Sequence, residues 1–245
     1  MKHLQRRRVG LIAACMVQRW YLGFEMTGSP QGYVFIVTYG RSGSTLIQTL
    51  LQSINGYFIR GENANALWPL YQSFKRIEQA KTDHGYREIE AQGPWFGINS
   101  VEPNRYADRL LKVFVEEIIQ PPEDARVIGF KEIRFHEAEE EFDAFLEFVA
   151  SQFAPARFIF NLRGWESVSK SGWWKNCAPD MVKGLVEKAD AQFLAFAKKH
   201  PASCFVARYE DYVGKPDYWR QMFDFLGEAY DPERVKELSD RKLKH

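Results

Sequence analysis

The chain has 245 residues, 45% hydrophobic and 27% charged, and its 33 basic and 32 acidic residues leave a formal net charge of +1. That length suits one domain with a substantial core, and the near-balance of charge excludes a global basic field for nucleic acid, so any affinity for anions has to be local. Cys15, Cys177 and Cys204 form neither a CxxC pair nor a metal-ligand spacing, which predicts a reducing, cytoplasmic setting and buried thiols.

Arg6-Arg7-Arg8 precedes the apolar run 9–17. The run is too short for a bilayer span, which takes about 20 residues, so residues 1–30 read as a basic leader or a first helix and residues 31–245 as a single domain. Residues 33–37 (Tyr-Val-Phe-Ile-Val) predict a strand, followed by a Gly/Ser turn and a helix to about Ser53. A second strand at 57–59 leads through Arg60-Gly61-Glu62-Asn63 to a helical stretch ending near Ala80. Residues 82–104 break the rhythm with Gly85, Gly93-Pro94, Gly97 and Pro103, and carry Tyr86, Trp95 and Phe96. The expectation there is a loop beside the sheet, either a wall for an acceptor cleft or a surface loop pinned by its aromatics. A third strand over 126–130 ends at Lys131, and a helix is expected over 137–153. The fourth strand, 157–160, leads to Asn161-Leu162-Arg163 and another helix, and the fifth, 203–207, to Arg208-Tyr209-Glu210. Continuous apolar strands alternating with helices indicate an α/β fold, a parallel sheet flanked by helices.

The most informative segment is 38–46, Thr-Tyr-Gly-Arg-Ser-Gly-Ser-Thr-Leu. A strand, a Gly/Ser turn and a helix in succession place backbone N–H groups at a helix N-terminus, where anions bind. Gly40 and Gly43 allow the tight turn. Ser42, Ser44 and Thr45 add hydroxyls, and Arg41 a guanidinium suited to phosphate or sulfate. The turn lacks the G-x-x-x-x-G-K-[ST] pattern of nucleotide triphosphatases, because its glycines stand three apart and no Lys follows the second. Ligands of open α/β sheets bind outside the carboxyl ends of the strands. The other residues to compare are therefore Glu62, then Lys131, Glu132 and Arg134, then Arg163 and Ser171, and finally Tyr209.

Together these segments resemble the sulfotransferase family that uses 3′-phosphoadenosine 5′-phosphosulfate, in its bacterial and tyrosylprotein-like Arg-Ser-Gly-Ser-Thr form, over residues 33–227. The resemblance implies a P-loop-like sulfotransferase fold in which Gly40, Arg41, Ser42, Gly43, Ser44 and Thr45 hold the 5′-phosphosulfate. It implies that Arg163, Ser171 in the following helix and Tyr209 hold the 3′-phosphate. Residues 206–212 and 225–227 are similar to the family's late strand and closing helix. Ile133 stands where small-molecule members carry a His, whereas Gly61-Glu62-Asn63 is similar to the Gly-Glu segment of tyrosylprotein and several bacterial members. Glu62 is then the implied general base, with Glu132 second and His136 third. Arg41 stabilises charge, and Lys131 is the mobile cation at the bridging oxygen.

Sulfuryl transfer, like phosphoryl transfer, asks mainly for positioning and charge stabilisation, which cations can supply without a metal. The expected acceptor is a hydroxyl on a saccharide. A peptide tyrosine is disfavoured at net charge +1, and no nucleic-acid partner or membrane span is expected. Trp173-Trp174 is expected to pack the helix after Arg163, and the basic end from Arg241 to be a frayed tail. A nucleotide-binding protein of this fold without turnover is the alternative. A nucleotide kinase is disfavoured by the missing Lys and by the lack of a strand-end Asp.

Overall fold

The computed structural model describes residues 30–241. The expected leader or first helix up to residue 29 and the tail from 242 lie outside the described residues. Five strands form one parallel sheet in the order β2-β3-β1-β4-β5: β1 (Gly32–Val37), β2 (Tyr57–Arg60), β3 (Val127–Glu132), β4 (Ala156–Leu162) and β5 (Cys204–Arg208). Successive side chains of a strand point to opposite faces, and both faces here are apolar. Val34 and Ile36 of β1 join Tyr57, Ile59, Val127 and Ile159 on one side, and Phe35 and Val37 join Phe130, Phe158 and Phe160 on the other.

The first face is covered by α1 (Ser44–Gln52), α8 (Arg220–Leu226) and α9 (Pro232–Asp240), through Ile47, Leu50, Leu51, Met222, Phe223, Val235 and Leu238. The second is covered by α2 (Leu67–His84), α3 (Pro103–Val113), α4 (Phe142–Gln152) and α6 (Pro179–Lys199), through Tyr71, Phe74, Leu111, Phe145, Val149, Phe193 and Phe196. Each fully buried side chain of this size contributes roughly 1.5–3 kcal/mol. Two short helices, α5 (Trp165–Ser169) and α7 (Tyr209–Tyr212), sit directly after β4 and β5. β1 is flanked by β3 and β4, and β2 by β3, so the segments leaving β1, β2, β3 and β4 meet at one rim.

The expected parallel α/β sheet is present, with local differences. The helix expected over 137–153 begins only at Phe142; before it, Phe135–Glu141 is a 3₁₀ stretch broken at Glu139, where φ is 48°. Lys188 and Gln192 of α6 bind the Glu139 side chain and carbonyl, a tertiary tie that outweighs helix propensity. The segment 82–104 is shorter as a loop than expected, because α2 continues to His84 and α3 starts at Pro103. Ser171 lies beyond the short α5 rather than inside a helix. Cys177 and Cys204 are free and only half-buried, a correction to the expected buried thiols, while burial pushes the Cys204 thiol up to about 11.

Candidate active site

The turn after β1 is fixed from below by buried polar groups. Thr38 Oγ1 lies 2.7 Å from both the Asn161 carbonyl and Ser42 Oγ. The Asn161 side chain donates to the Ser42 carbonyl at 3.0 Å and accepts from the Tyr212 hydroxyl at 3.0 Å. Ser42 is fully buried, so its hydroxyl ties the turn together rather than facing a ligand. Arg41 and Gly43 are left-handed, with φ of 67° and 88°, an alternation that makes a concavity of N–H groups. The N–H groups of Arg41, Ser42 and Gly43 donate to no acceptor among the described residues. Gly43 is required by its positive φ and by close approach, and Gly40 lies in close approach to a neighbouring ring. A Cβ on Gly43 would stand 2.6 Å from the Tyr209 ring, and one on Gly40 would stand 2.3 Å from Trp173.

Arg163, at the end of β4, is held through its backbone and its side chain. Its N–H donates to the Tyr39 hydroxyl at 2.7 Å, and that hydroxyl donates to its carbonyl at 2.8 Å. Burial raises the Tyr39 pKa, keeping the hydroxyl neutral. The Arg163 Nη1 donates to the Arg41 carbonyl at 2.8 Å, its guanidinium lies 4.0 Å from the centre of the Tyr209 ring, and its Nε is buried without a partner among the described residues. Arg41 Nε donates to Ser171 Oγ at 3.0 Å. Ser171 thus orients Arg41 and does not itself line the cavity.

Across the cavity, Lys131 is 9% exposed and pairs with Glu62 at 3.0 Å. Arg134 approaches the other Glu62 oxygen at 4.0 Å. This arrangement departs from a carboxylate stationed at a helix N-terminus, because α2 begins only at Leu67. Glu132 is fully buried and accepts from four backbone N–H groups, those of Asn63, Asn65, Ile133 and Arg134. It is therefore withdrawn as an alternative base, since all its acceptor positions face the protein. His136 does not line the cavity, and burial, before the nearby Arg134 and Lys188 charges, lowers its pKa.

These groups line one cavity of about 450 Å³. Gly40, Arg41, Gly43, Ser44, Thr45, Glu62, Lys131, Arg163 and Tyr209 reach it; Ser42 and Ser171 do not. Other residues line the cavity too, Trp173, Tyr212, Val213, Gly214, Ser239 and Arg241 among them. Trp173, 52% exposed, covers Gly40, and Trp174 donates to the Gly40 carbonyl at 3.0 Å while also packing against the core cluster that includes Val168 of α5. Tyr212 lies beneath the turn, and its signal was legible as a polar ring just after a strand. Arg241 lines the rim and pairs with Glu237, which corrects the expectation of a frayed end at that residue. Conversely, no residue of 82–104 lines the cavity. That segment follows the far end of α2, an 18-residue helix about 27 Å long.

Among the described residues no group of three or more His, Cys, Asp or Glu could hold a metal ion, and no helix is long and apolar enough to cross a membrane. No family model matches the sequence, and no curated protein matches it. Solved structures do match. The sulfotransferase domain of the Synechococcus PCC 7002 olefin synthase superposes with a TM-score of 0.55 over 87% of this chain and 79% of its own length, at 16% identity. The sulfotransferase STF9 from Mycobacterium avium matches over 87% of this chain and 68% of its own, with a TM-score of 0.42 and 14% identity. The likeness to the olefin synthase domain is one of fold: the five-stranded parallel sheet with helices on both faces is that of a sulfotransferase domain.

Proposed function

We propose that the chain transfers a sulfuryl group from 3′-phosphoadenosine 5′-phosphosulfate to an acceptor hydroxyl. The observation that carries this reading is the pair of anion positions in one cavity: the N–H groups of the turn after β1, and the Arg163 guanidinium with its unpartnered, buried Nε. A buried, unpaired donor is costly unless a ligand satisfies it. The pair fits a donor that is phosphorylated at both ends of its nucleoside. When bound, that donor supplies an activated sulfuryl group and a phosphate leaving group.

The residues divide the remaining work. The turn amides, Ser44 and Thr45 bind the phosphosulfate end. Arg41, oriented by Ser171, neutralises charge as a fixed fork. Arg163 and Tyr209 hold the 3′-phosphate, a remote handle whose binding energy aligns the reacting end. Lys131 carries its charge to the bridging oxygen, and Glu62 accepts the acceptor's proton once the ion pair between them opens.

For the acceptor we propose a saccharide hydroxyl, with peptide tyrosine as the competing class. The aromatic segment 82–104 lends this no support from where it lies. The half-exposed indole of Trp173 is one aromatic face that the cavity offers to a sugar ring or a base.

Isothermal titration with 3′-phosphoadenosine 5′-phosphate tests the reading. Binding is expected without magnesium and weaker by about 100-fold in Arg163→Ala, roughly the loss of one charge-assisted phosphate clamp. Absence of binding, or preference for adenosine triphosphate with magnesium, overturns it. Binding without transfer to any member of a saccharide and tyrosyl-peptide panel favours the non-catalytic alternative.

A further inference from the structure

The turn between β2 and α2 carries Glu62, and its shape is unusual. Ala64 and Asn65, neither of them glycine, are both left-handed, with φ of 57° and 56°. Such a conformation persists only where the surroundings hold it. What holds it is Glu132. One carboxylate oxygen accepts from the N–H groups of Asn63 at 3.0 Å and Asn65 at 2.8 Å, and the other from those of Ile133 at 2.8 Å and Arg134 at 3.1 Å. The Asn65 side chain donates to the Arg134 carbonyl at 3.0 Å, closing the same junction. Arg134 Nη1, 3.6 Å from the carboxylate, offsets its charge.

We propose that Glu132 is a positioning residue: its buried carboxylate is an internal anion around which the Glu62 turn and the end of β3 fold, setting Glu62 and Lys131 against each other. Glu62 directly precedes the clamped Asn63, and Lys131 directly precedes Glu132 itself. The two groups meet at 3.0 Å because one carboxylate fixes both backbones. Glu132 touches no substrate, since it is fully buried and does not line the cavity. Its role as a positioning residue rests on the reading of Glu62 and Lys131 as the reacting pair.

Glu132→Gln keeps the size but replaces one acceptor oxygen with an NH₂ that faces two N–H donors. The turn amides and Arg163 stand on β1 and β4, so donor binding should survive. The expected result is a kcat lower by about 100-fold, the scale of an ångström-level misplacement. The dissociation constant for 3′-phosphoadenosine 5′-phosphate should stay within about threefold, and Glu132→Asp, which keeps the charge, should recover part of the lost rate.

A kcat within about threefold of the wild type overturns the proposal, and so does a parallel loss of kcat and nucleotide binding, the mark of a merely structural residue. Amide hydrogen exchange on the wild-type protein guards against a variant that fails to fold. The amides of Asn63 and Asn65 should be protected like those of β3, and fast exchange there overturns the clamp. A wild-type protein that does not bind the nucleotide defeats the sulfuryl-transfer reading instead, and amide exchange then still decides whether the clamp exists.

Discussion

Two turns at the same rim both use left-handed residues, but for opposite ends. The turn after β1 has left-handed Arg41 and Gly43, and its N–H groups are left free to meet a ligand. The turn after β2 has left-handed Ala64 and Asn65, and the N–H groups of Asn63 and Asn65 are already taken by Glu132. One turn waits for an external anion and the other encloses a resident one. Backbone concavities bind anions whatever their source, so which turn recognises and which turn positions is decided by whether a carboxylate from the neighbouring strand reaches it.

Breaking the open turn should have the largest effect. Gly43→Val places a branched side chain at positive φ and against the Tyr209 ring. Titration should show nucleotide affinity reduced by about 100-fold or more, with folding destabilised by roughly 2–4 kcal/mol. Affinity near that of the wild type would mean that the turn does not bind the phosphosulfate end.

Sulfate alone should tell the turns apart. At about 100 mM, with a dissociation constant near 10 mM, it should stabilise the wild type by about 1.4 kcal/mol. That amounts to a rise of about 3–5 °C in thermal midpoint for a chain of this size. The rise should vanish in Gly43→Val and persist in Glu132→Asp, because Glu132 already occupies the Asn63 and Asn65 amides of the second turn. The complementary change, Ala64→Gly, meets a φ of 57° that glycine adopts freely. Its stability should shift by no more than about 1 kcal/mol, relief of strain offsetting the greater freedom of the unfolded chain.

A further predicted effect concerns pH. Behind the open turn, Asp190 of α6 lies near the Tyr39 hydroxyl, and burial raises its carboxyl from 3.8 to about 6. The folded state therefore holds a proton that the unfolded state has released between those values. The corresponding stability is present below about pH 4 and lost as pH rises through about 6. Thermal melts of Asp190→Asn should lack this slope, so its midpoint should gain on the wild type by a few degrees between pH 4 and 7. Parallel curves for the two proteins would show that Asp190 does not titrate against the turn.

Much of the rim was legible from the chain alone, for a definite reason. Strands covered on both faces must be apolar throughout, so five such runs mark themselves, and the first polar residues after them are the rim. Arg41, Glu62, Lys131, Arg163 and Tyr209 were found that way, and all of them line the cavity. Glu132 was found too, but as an alternative base. Its four N–H partners lie on both its own strand and the neighbouring turn, and nothing in local spacing announces such a set.

Strand identity, the order of strand, turn and helix, and the chemistry of the 38–46 turn follow from periodicity and from the conformational needs of glycine, which are local properties of the chain. The folded arrangement alone settles the rest. It seats Trp173 over Gly40, commits Ser42 and Ser171 to holding the turn, brings Arg241 to the rim, and carries the aromatic segment 82–104 to the far end of α2. Each of these depends on helix length and direction summed over many residues. Contacts between segments so distant in sequence exist only once the sheet has fixed where every helix begins.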